Sequence, residues 1–117
     1  MDLKLVGKNA LITGGSRGIG RATAEIFAGE GCNVIIVSRD VNALAATKST
    51  IAQKTNVRVD TVAADLSHSV NVDQLARDYP GVDILVNNAG AIPGGTLLNV
   101  NEATWRKAWG SESLWLH

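Results

Sequence analysis

A chain of 117 residues can bury one hydrophobic core but is short for a complete doubly wound enzyme. Eleven basic side chains balance eleven acidic ones, so the electrostatic footprint of a nucleic-acid binder is missing. One cysteine, Cys32, excludes an internal disulfide framework and suits a reducing compartment. Apolar runs are strand-sized and too short to span a bilayer, and the opening residues lack the pattern of a secretory signal. The expectation is a cytoplasmic protein with no membrane or nucleic-acid partner.

Strand and helix patterns alternate along the chain without a linker or low-complexity stretch. Residues 8–13 read as a first strand. Thr13-Gly14-Gly15-Ser16-Arg17-Gly18-Ile19-Gly20 follows and opens a helix over residues 17–30, with Ile19, Ala22, Thr23, Ile26 and Phe27 on one face. Gly29 and Gly31 bracket its end. Residues 33–38 are apolar on both faces, as in a buried parallel strand. A second helix over residues 40–55, capped by Asp40, puts Val41, Leu44, Ala45, Lys48, Ile51 and Ala52 on one stripe, with Lys48 snorkelling outward. Residues 57–64 form a third strand. Ser67 or Ser69 then caps a helix carrying Val72, Leu75 and Ala76, which Pro80-Gly81 ends. Residues 82–87 form a fourth strand. A further helix begins at Asn101 and sets Trp105 and Trp109 on one face, against the core or a partner subunit. This order calls for an α/β fold, a parallel sheet with right-handed crossovers.

The strand, glycine-rich loop and helix make a phosphate cradle. Gly14 lets the chain turn off the strand, and Gly18 has no Cβ to hold a ligand away. Gly20 lets the helix approach the sheet, with the free N–H groups of its first turn aimed at an anion. The loop resembles the cofactor loop of the short-chain dehydrogenases/reductases, whose glycine spacing differs from G-x-G-x-x-G. Asn87-Asn88-Ala89-Gly90, after the fourth strand, is similar to that family's second signature, and Asp65-Leu66 to a third. Together the three motifs cover nearly all of residues 4–105 in family order.

The resemblance implies a Rossmann-type parallel sheet with helices on both faces and strand order 3-2-1-4-5-6, truncated after the fourth strand and the start of the following helix. Residues 1–117 would be a partial NAD(P)-binding domain, family-like to about residue 109 with an aberrant tail over 110–117. It implies an oxidoreductase that moves hydride between a nicotinamide dinucleotide and a small alcohol or carbonyl substrate, a homo-oligomer in its full-length form. Asp65 would meet the adenine amino group, and Asn87 would tie the fourth strand to its neighbour. Ala89 and Gly90 would leave room beside the ribose and nicotinamide.

Cofactor choice is read at the end of the second strand. A carboxylate there binds the adenosine ribose 2′-hydroxyl and repels a 2′-phosphate. This chain has Ser38 and Arg39 instead, and Arg17 adds a second positive charge in the glycine loop. The preference is for NADP over NAD, with Asp40 as the dissenting carboxylate. The cofactor-binding set is Gly14, Ser16, Arg17, Gly18, Ile19, Gly20, Ser38, Arg39, Asp65, Leu66, Asn87, Ala89 and Gly90. Cys32 reads as packing, and neither His68 nor His117 has partners at metal-ligand spacing, so no metal is assigned.

Members of the family use a tyrosine followed four residues later by a lysine, with a serine on the preceding strand. The only tyrosine is Tyr79, with Asp83 four residues on and the fourth strand still to come, so no catalytic residue is assigned. One codon choice for residues 112–117, read one base later, gives Lys-Val-Phe-Gly-Tyr, which looks like the family's next helix. The expectation is therefore a frameshifted, inactive dehydrogenase fragment. Its fourth strand would leave Val82, Ile84, Leu85 and Val86 on an open apolar edge, making the chain oligomeric or poorly soluble. The competing class is a non-enzymatic dinucleotide-binding module. A flavodoxin-like phosphoacceptor would want acidic residues where Thr13-Gly14-Gly15 stands.

Overall fold

The computed structural model describes residues 5–14, 18–88 and 114–116. Its elements run β1 (Asn9–Thr13), α1 (Gly18–Gly29), β2 (Asn33–Ser38), α2 (Val41–Lys54), β3 (Val59–Ala63), α3 (Ser69–Asp78), β4 (Ile84–Asn87) and β5 (Leu114–Leu116). The strands form one sheet in the order β3-β2-β1-β4-β5, and every pairing is parallel. This is the Rossmann-type arrangement that the alternating pattern called for. The helix that the sequence placed from Asn101, with Trp105 and Trp109, lies outside the described residues.

Both sheet faces are covered over the central strands, whose apolar runs divide by parity, whereas β3 at the edge keeps Asp60 and Thr61 partly exposed. Ala10, Ile12, Val34, Ile36, Ile84 and Val86 face one way and pack with Ala24 and Ala28 of α1 and Leu44 and Ile51 of α2. Leu11, Ile35, Val37 and Leu85 face the other way and meet Val72, Leu75 and Ala76 of α3. Full burial of side chains such as Leu11, Ile12 and Ile36 stabilises by roughly 1.5–3 kcal/mol each.

Two helix faces differ from the expected ones. In α1 the buried residues are Gly20, Ala24 and Ala28, while Ile19 and Ile26 are 76% and 65% exposed. The helix lies so close to the sheet that only small residues fit on the contact line, and the larger apolar ones are displaced to its flanks. In α2 the buried line is Leu44, Thr47 and Ile51, and Val41, Ala45, Lys48 and Ala52 are exposed. Turning the stripe by one residue removes the need to accommodate Lys48. Asp40 does cap α2, its Oδ1 accepting from the Ala43 N–H at 3.0 Å.

At α3 neither serine caps. His68 holds the N-cap position without a side-chain hydrogen bond to the helix. Ser67 instead turns back to Asp65, and Asn71 Nδ2 donates to the Asp65 carbonyl at 2.8 Å.

The expectation of an open β4 edge is overturned. β5 pairs alongside β4 in the register Ile84↔Leu114, Leu85↔Trp115 and Val86↔Leu116. The tail does lose helical periodicity, but Leu114-Trp115-Leu116 is a short apolar run of strand character, and it satisfies backbone groups that β4 would otherwise present unpaired.

At the amino ends of the strands, polar side chains link four strands in a belt. The Asn9 N–H donates to Asp83 Oδ2 at 2.9 Å, and Asn9 Nδ2 donates to the Gly81 carbonyl at 3.0 Å. Asn33 Nδ2 donates to Asn9 Oδ1 at 3.2 Å, and the Arg58 N–H donates to Asn33 Oδ1 at 3.0 Å. Arg58 then grips Asp60 through Nε at 3.2 Å and Nη2 at 2.9 Å.

Candidate functional site

The carboxyl ends of the strands carry the expected motifs. Gly14 follows β1, Ser38 ends β2 with Arg39 next to it, Asp65 follows β3, and Asn87 ends β4. Strand order reverses between β1 and β4, and in an open α/β sheet that switch point leaves a crevice outside the strand ends.

The crevice is built around Thr13, fully buried at the end of β1 after the apolar run Ala10-Leu11-Ile12. Its hydroxyl proton faces Asn87 Oδ1 at 3.0 Å and the Val86 carbonyl at 3.3 Å, and its oxygen accepts from the Asn88 N–H at 3.1 Å. β1 and β4 are thereby tied side chain to side chain, and Asn87 is held at 5% exposure. On the other flank the Gly14 N–H donates to the Val37 carbonyl of β2 at 2.8 Å.

The glycines fit a cradle for an anion. Gly14 and Gly18 have φ of +67° and +53°, the left-handed region that disfavours side chains. A Cβ at Gly18 would stand in open space, so nothing but the missing side chain keeps that surface clear. Gly20 serves packing: a Cβ there would strike the Gly14 carbonyl oxygen and lie 2.8 Å from Asn88 Nδ2. Ile19, in the first turn of α1, stays on the surface beside the loop. Ser16, Arg17, Ala89 and Gly90 lie outside the described residues.

The β2 and β3 ends form a second cluster. The Asp40 N–H donates to Ser38 Oγ at 3.2 Å, and the Ala64 N–H donates to the Ser38 carbonyl at 3.0 Å. Arg39 is exposed. Asp65 Oδ1 accepts from the Ser67 hydroxyl at 2.7 Å and the Ser67 N–H at 3.0 Å, while Oδ2 lies 3.8 Å from His68 Nε2. The Ser67 hydrogen bonds hold the Asp65 carboxyl below the usual carboxylate range, against a small opposing effect of burial, and the charges of His68 and Arg39 add to this. Leu66 turns its side chain into the core under α3.

Thr13 and Asn88 stand within the motifs but outside the cofactor-binding set that the sequence suggests, and the structure makes them the hinge of the crevice. A lone hydroxyl ending an apolar strand is itself a signal, because a buried polar group must find partners.

Tyr79 sits elsewhere. With Asn9, Asn33, Arg58, Asp60 and Val82 it lines a cavity of about 210 Å³ at the amino ends of the strands, the opposite end of the sheet from Gly14. Burial, then the negative charge of Asp60, pushes its phenol up. Cys32 is buried, its thiol raised chiefly by that burial and next by the charges of Glu30 and Asp83. Among the described residues no three metal-ligating side chains come together, and no helix is long and apolar enough to cross a membrane.

The family model of the short chain dehydrogenases matches residues 8–110. A 3-oxoacyl-[acyl-carrier-protein] reductase of Chlamydia trachomatis is 36% identical over 105 residues, covering 86% of this chain and 42% of the reductase. Its counterpart in Aquifex aeolicus is 37% identical, covering 92% of this chain and 45% of that protein. The chain thus spans less than half the length of these relatives. L-sorbose reductase from Gluconobacter frateurii, solved with NADPH and L-sorbose, superposes with a TM-score of 0.73 at 44% identity, covering 77% of this chain and 36% of that one. Motifs, strand order and switch-point geometry agree with these likenesses: the chain belongs to the short-chain dehydrogenase/reductase family of oxidoreductases.

Proposed function

We propose that residues 1–117 form the cofactor-binding portion of a cytoplasmic, NADP(H)-preferring oxidoreductase acting on a small alcohol or carbonyl, homo-oligomeric in its full-length form. The observation that carries the cofactor choice lies after β2. Asp40 is the carboxylate best placed to bind a ribose 2′-hydroxyl and repel a 2′-phosphate, and it is turned into the α2 cap. Arg39 is exposed beside it, and a guanidinium matches a phosphate in charge and in fork geometry. The NADPH in the L-sorbose reductase structure favours the same choice.

Within this reading the nicotinamide supplies the hydride acceptor or donor, and the chain's own residues position it. Gly14 and Gly18, with Ser16, seat the pyrophosphate at the amino end of α1, Gly20 lets that helix approach the strand end, Ile19 lies beside the loop, and Arg17 adds a positive charge toward the 2′-phosphate. Ser38 and Arg39 hold the 2′-phosphate. Asp65 accepts from the adenine amino group, and Leu66, whose side chain is buried, reaches the base through its backbone alone. Asn87 ties β4 to β1 beneath the cofactor, and Ala89 and Gly90 leave room for the ribose and nicotinamide.

Titrating NADPH and NADH against the wild-type chain and Arg39→Ala tests the assignment. Loss of a charge-assisted phosphate contact costs about 1.5–3 kcal/mol, so NADPH affinity should fall by about ten- to a hundredfold and NADH affinity barely change. Equal weakening of both would overturn it.

A second reading, a dinucleotide-binding module without turnover, is favoured by Tyr79. The only tyrosine stands at the amino ends of the strands, and position 83 is an aspartate. On that reading the 117-residue chain binds NADPH but oxidises none of it across a panel of carbonyls. Substrate-dependent oxidation would exclude it.

A further inference from the structure

The cavity at the amino ends of the strands lies at the far end of the sheet from the glycine loop, and cofactor binding makes no use of it. Ile35, at 7% the least covered member of the core cluster on that face, borders it together with Val82 and the half-buried Tyr79. Its remaining side chains are polar: Asn9, Asn33, Arg58, Asp60 and Asp78. An apolar floor with a few polar groups set around it is the build of a small-molecule site.

The donors on this rim are already engaged. Asn9 Nδ2 donates to the Gly81 carbonyl at 3.0 Å and Asn33 Nδ2 to Asn9 Oδ1 at 3.2 Å, while the Arg58 guanidinium reaches both oxygens of Asp60 at 3.2 and 2.9 Å. The Tyr79 phenol bonds the same carboxylate, and Pro80 has no N–H to offer. Acceptors are in surplus. Asp78 Oδ1 accepts from Gln74 Nε2 at 2.9 Å, which leaves Oδ2 for a donor from outside. The carbonyls of the last turn of α3 extend past Tyr79, at the negative end of the helix dipole. Arg77, in that same turn, donates to Gln74 and does not line the cavity. With Arg58 paired to Asp60, the charge of Asp78 is left without a lining cation to offset it. We propose that this cavity is a second binding site, selective for a small primary amine: the ammonium meets Asp78 and the carbonyls ending α3, and the apolar body rests on Ile35, Val82 and the Tyr79 ring. The aromatic face adds to the attraction for a cation.

Phenethylamine and its neutral analogue 2-phenylethanol test this, titrated at pH 7 into the isotopically labelled chain with amide NMR shifts as the readout. The amine should bind with a Kd on the order of 1 mM, more tightly than the alcohol, and its shifts should gather at Asn33, Arg58, Asp78, Tyr79 and Gly81. Asp78→Asn should weaken the amine about two- to fivefold and leave the alcohol unchanged, the range expected for a solvent-exposed carboxylate. Arg58→Gln should act in the opposite direction by a similar factor, because it removes a competing cation and releases Asp60. Asp73→Asn, the same charge change on the same helix but away from the cavity, should do neither. Opposite signs at Asp78 and Arg58 cannot arise from a general loss of fold. Equal affinity for amine and alcohol, absence of binding, shifts gathered at the glycine loop, equal weakening by Asp73→Asn, or failure of Arg58→Gln to tighten overturns the proposal. NADPH affinity, measured in the same samples, reports on the cofactor reading separately, and its loss would leave this inference standing.

Discussion

Adding one methyl group at Gly20 probes how closely α1 must approach the strand ends. An ideal Cβ there strikes the Gly14 carbonyl oxygen and lies 2.7 Å from the Gly14 carbonyl carbon and 2.8 Å from Asn88 Nδ2. The last two distances are about 0.6–0.7 Å inside ordinary van der Waals contact, and although the Asn88 amide is a side-chain end that can give, the Gly14 atoms are backbone and cannot swing clear. Overpacking of this kind costs about 1–3 kcal/mol, and backbone neighbours place Gly20→Ala near the upper end. The better helix propensity of alanine offsets about 1 kcal/mol, leaving a net loss of about 2 kcal/mol. For a domain of this size that lowers Tm by roughly 6–12 °C, measurable by thermal circular dichroism. Dinucleotide affinity should fall as well, since relief of the clash moves the first turn of α1 away from the crevice. Gly29→Ala is the control, because nothing lies within 4 Å of a Cβ there, and it should be neutral or stabilising by up to about 1 kcal/mol. Equal stability of Gly20→Ala and Gly29→Ala would refute the close approach.

Thr13→Val should cost about 2–3 kcal/mol in urea unfolding, because it removes a buried hydroxyl that donates to Asn87 Oδ1 and accepts from the Asn88 N–H, whereas Thr13→Ser should recover most of the loss. Asp40→Ala should lose about 1 kcal/mol of cap energy yet leave NADH binding unchanged, and a drop in NADH affinity would place Asp40 on the ribose instead. Cys32 should react with a thiol reagent only as fast as the chain opens. Its pKa is raised in the folded state above an ordinary 9.0, so the linked stability is present below that value and is lost as pH climbs past it, which alkaline unfolding curves would register.

What was legible in the sequence is what depends on local pattern. Asn33–Ser38 is strand by composition alone, Asp40 precedes a helix as a cap should, and the glycine loop is bounded by the strand and helix that give it meaning. Helix faces were less legible, because apolar periodicity says which residues could be buried and not how close the helix lies. Ile19 and Ile26 lost to Gly20, Ala24 and Ala28 once α1 settled on the Gly14 carbonyl. Ser67 looked like a cap and became a partner of Asp65, a competition between two nearby acceptors that spacing cannot rank. The strand at Leu114–Leu116 was hidden because its existence depends on the free edge of β4, a neighbour distant in sequence.

The polar belt at the amino ends bears on how this domain opens. Its bonds join residues 24, 25, 72 and 74 positions apart, so it is complete only when four strands have found their register. The carboxyl-end motifs lie at the other end of the sheet and share none of these bonds. The Asn9 amide proton, on the central strand, is therefore expected to exchange far more slowly with solvent than the exposed amide of Ser67. The sheet is thus laced across four strands at the end away from the glycine loop.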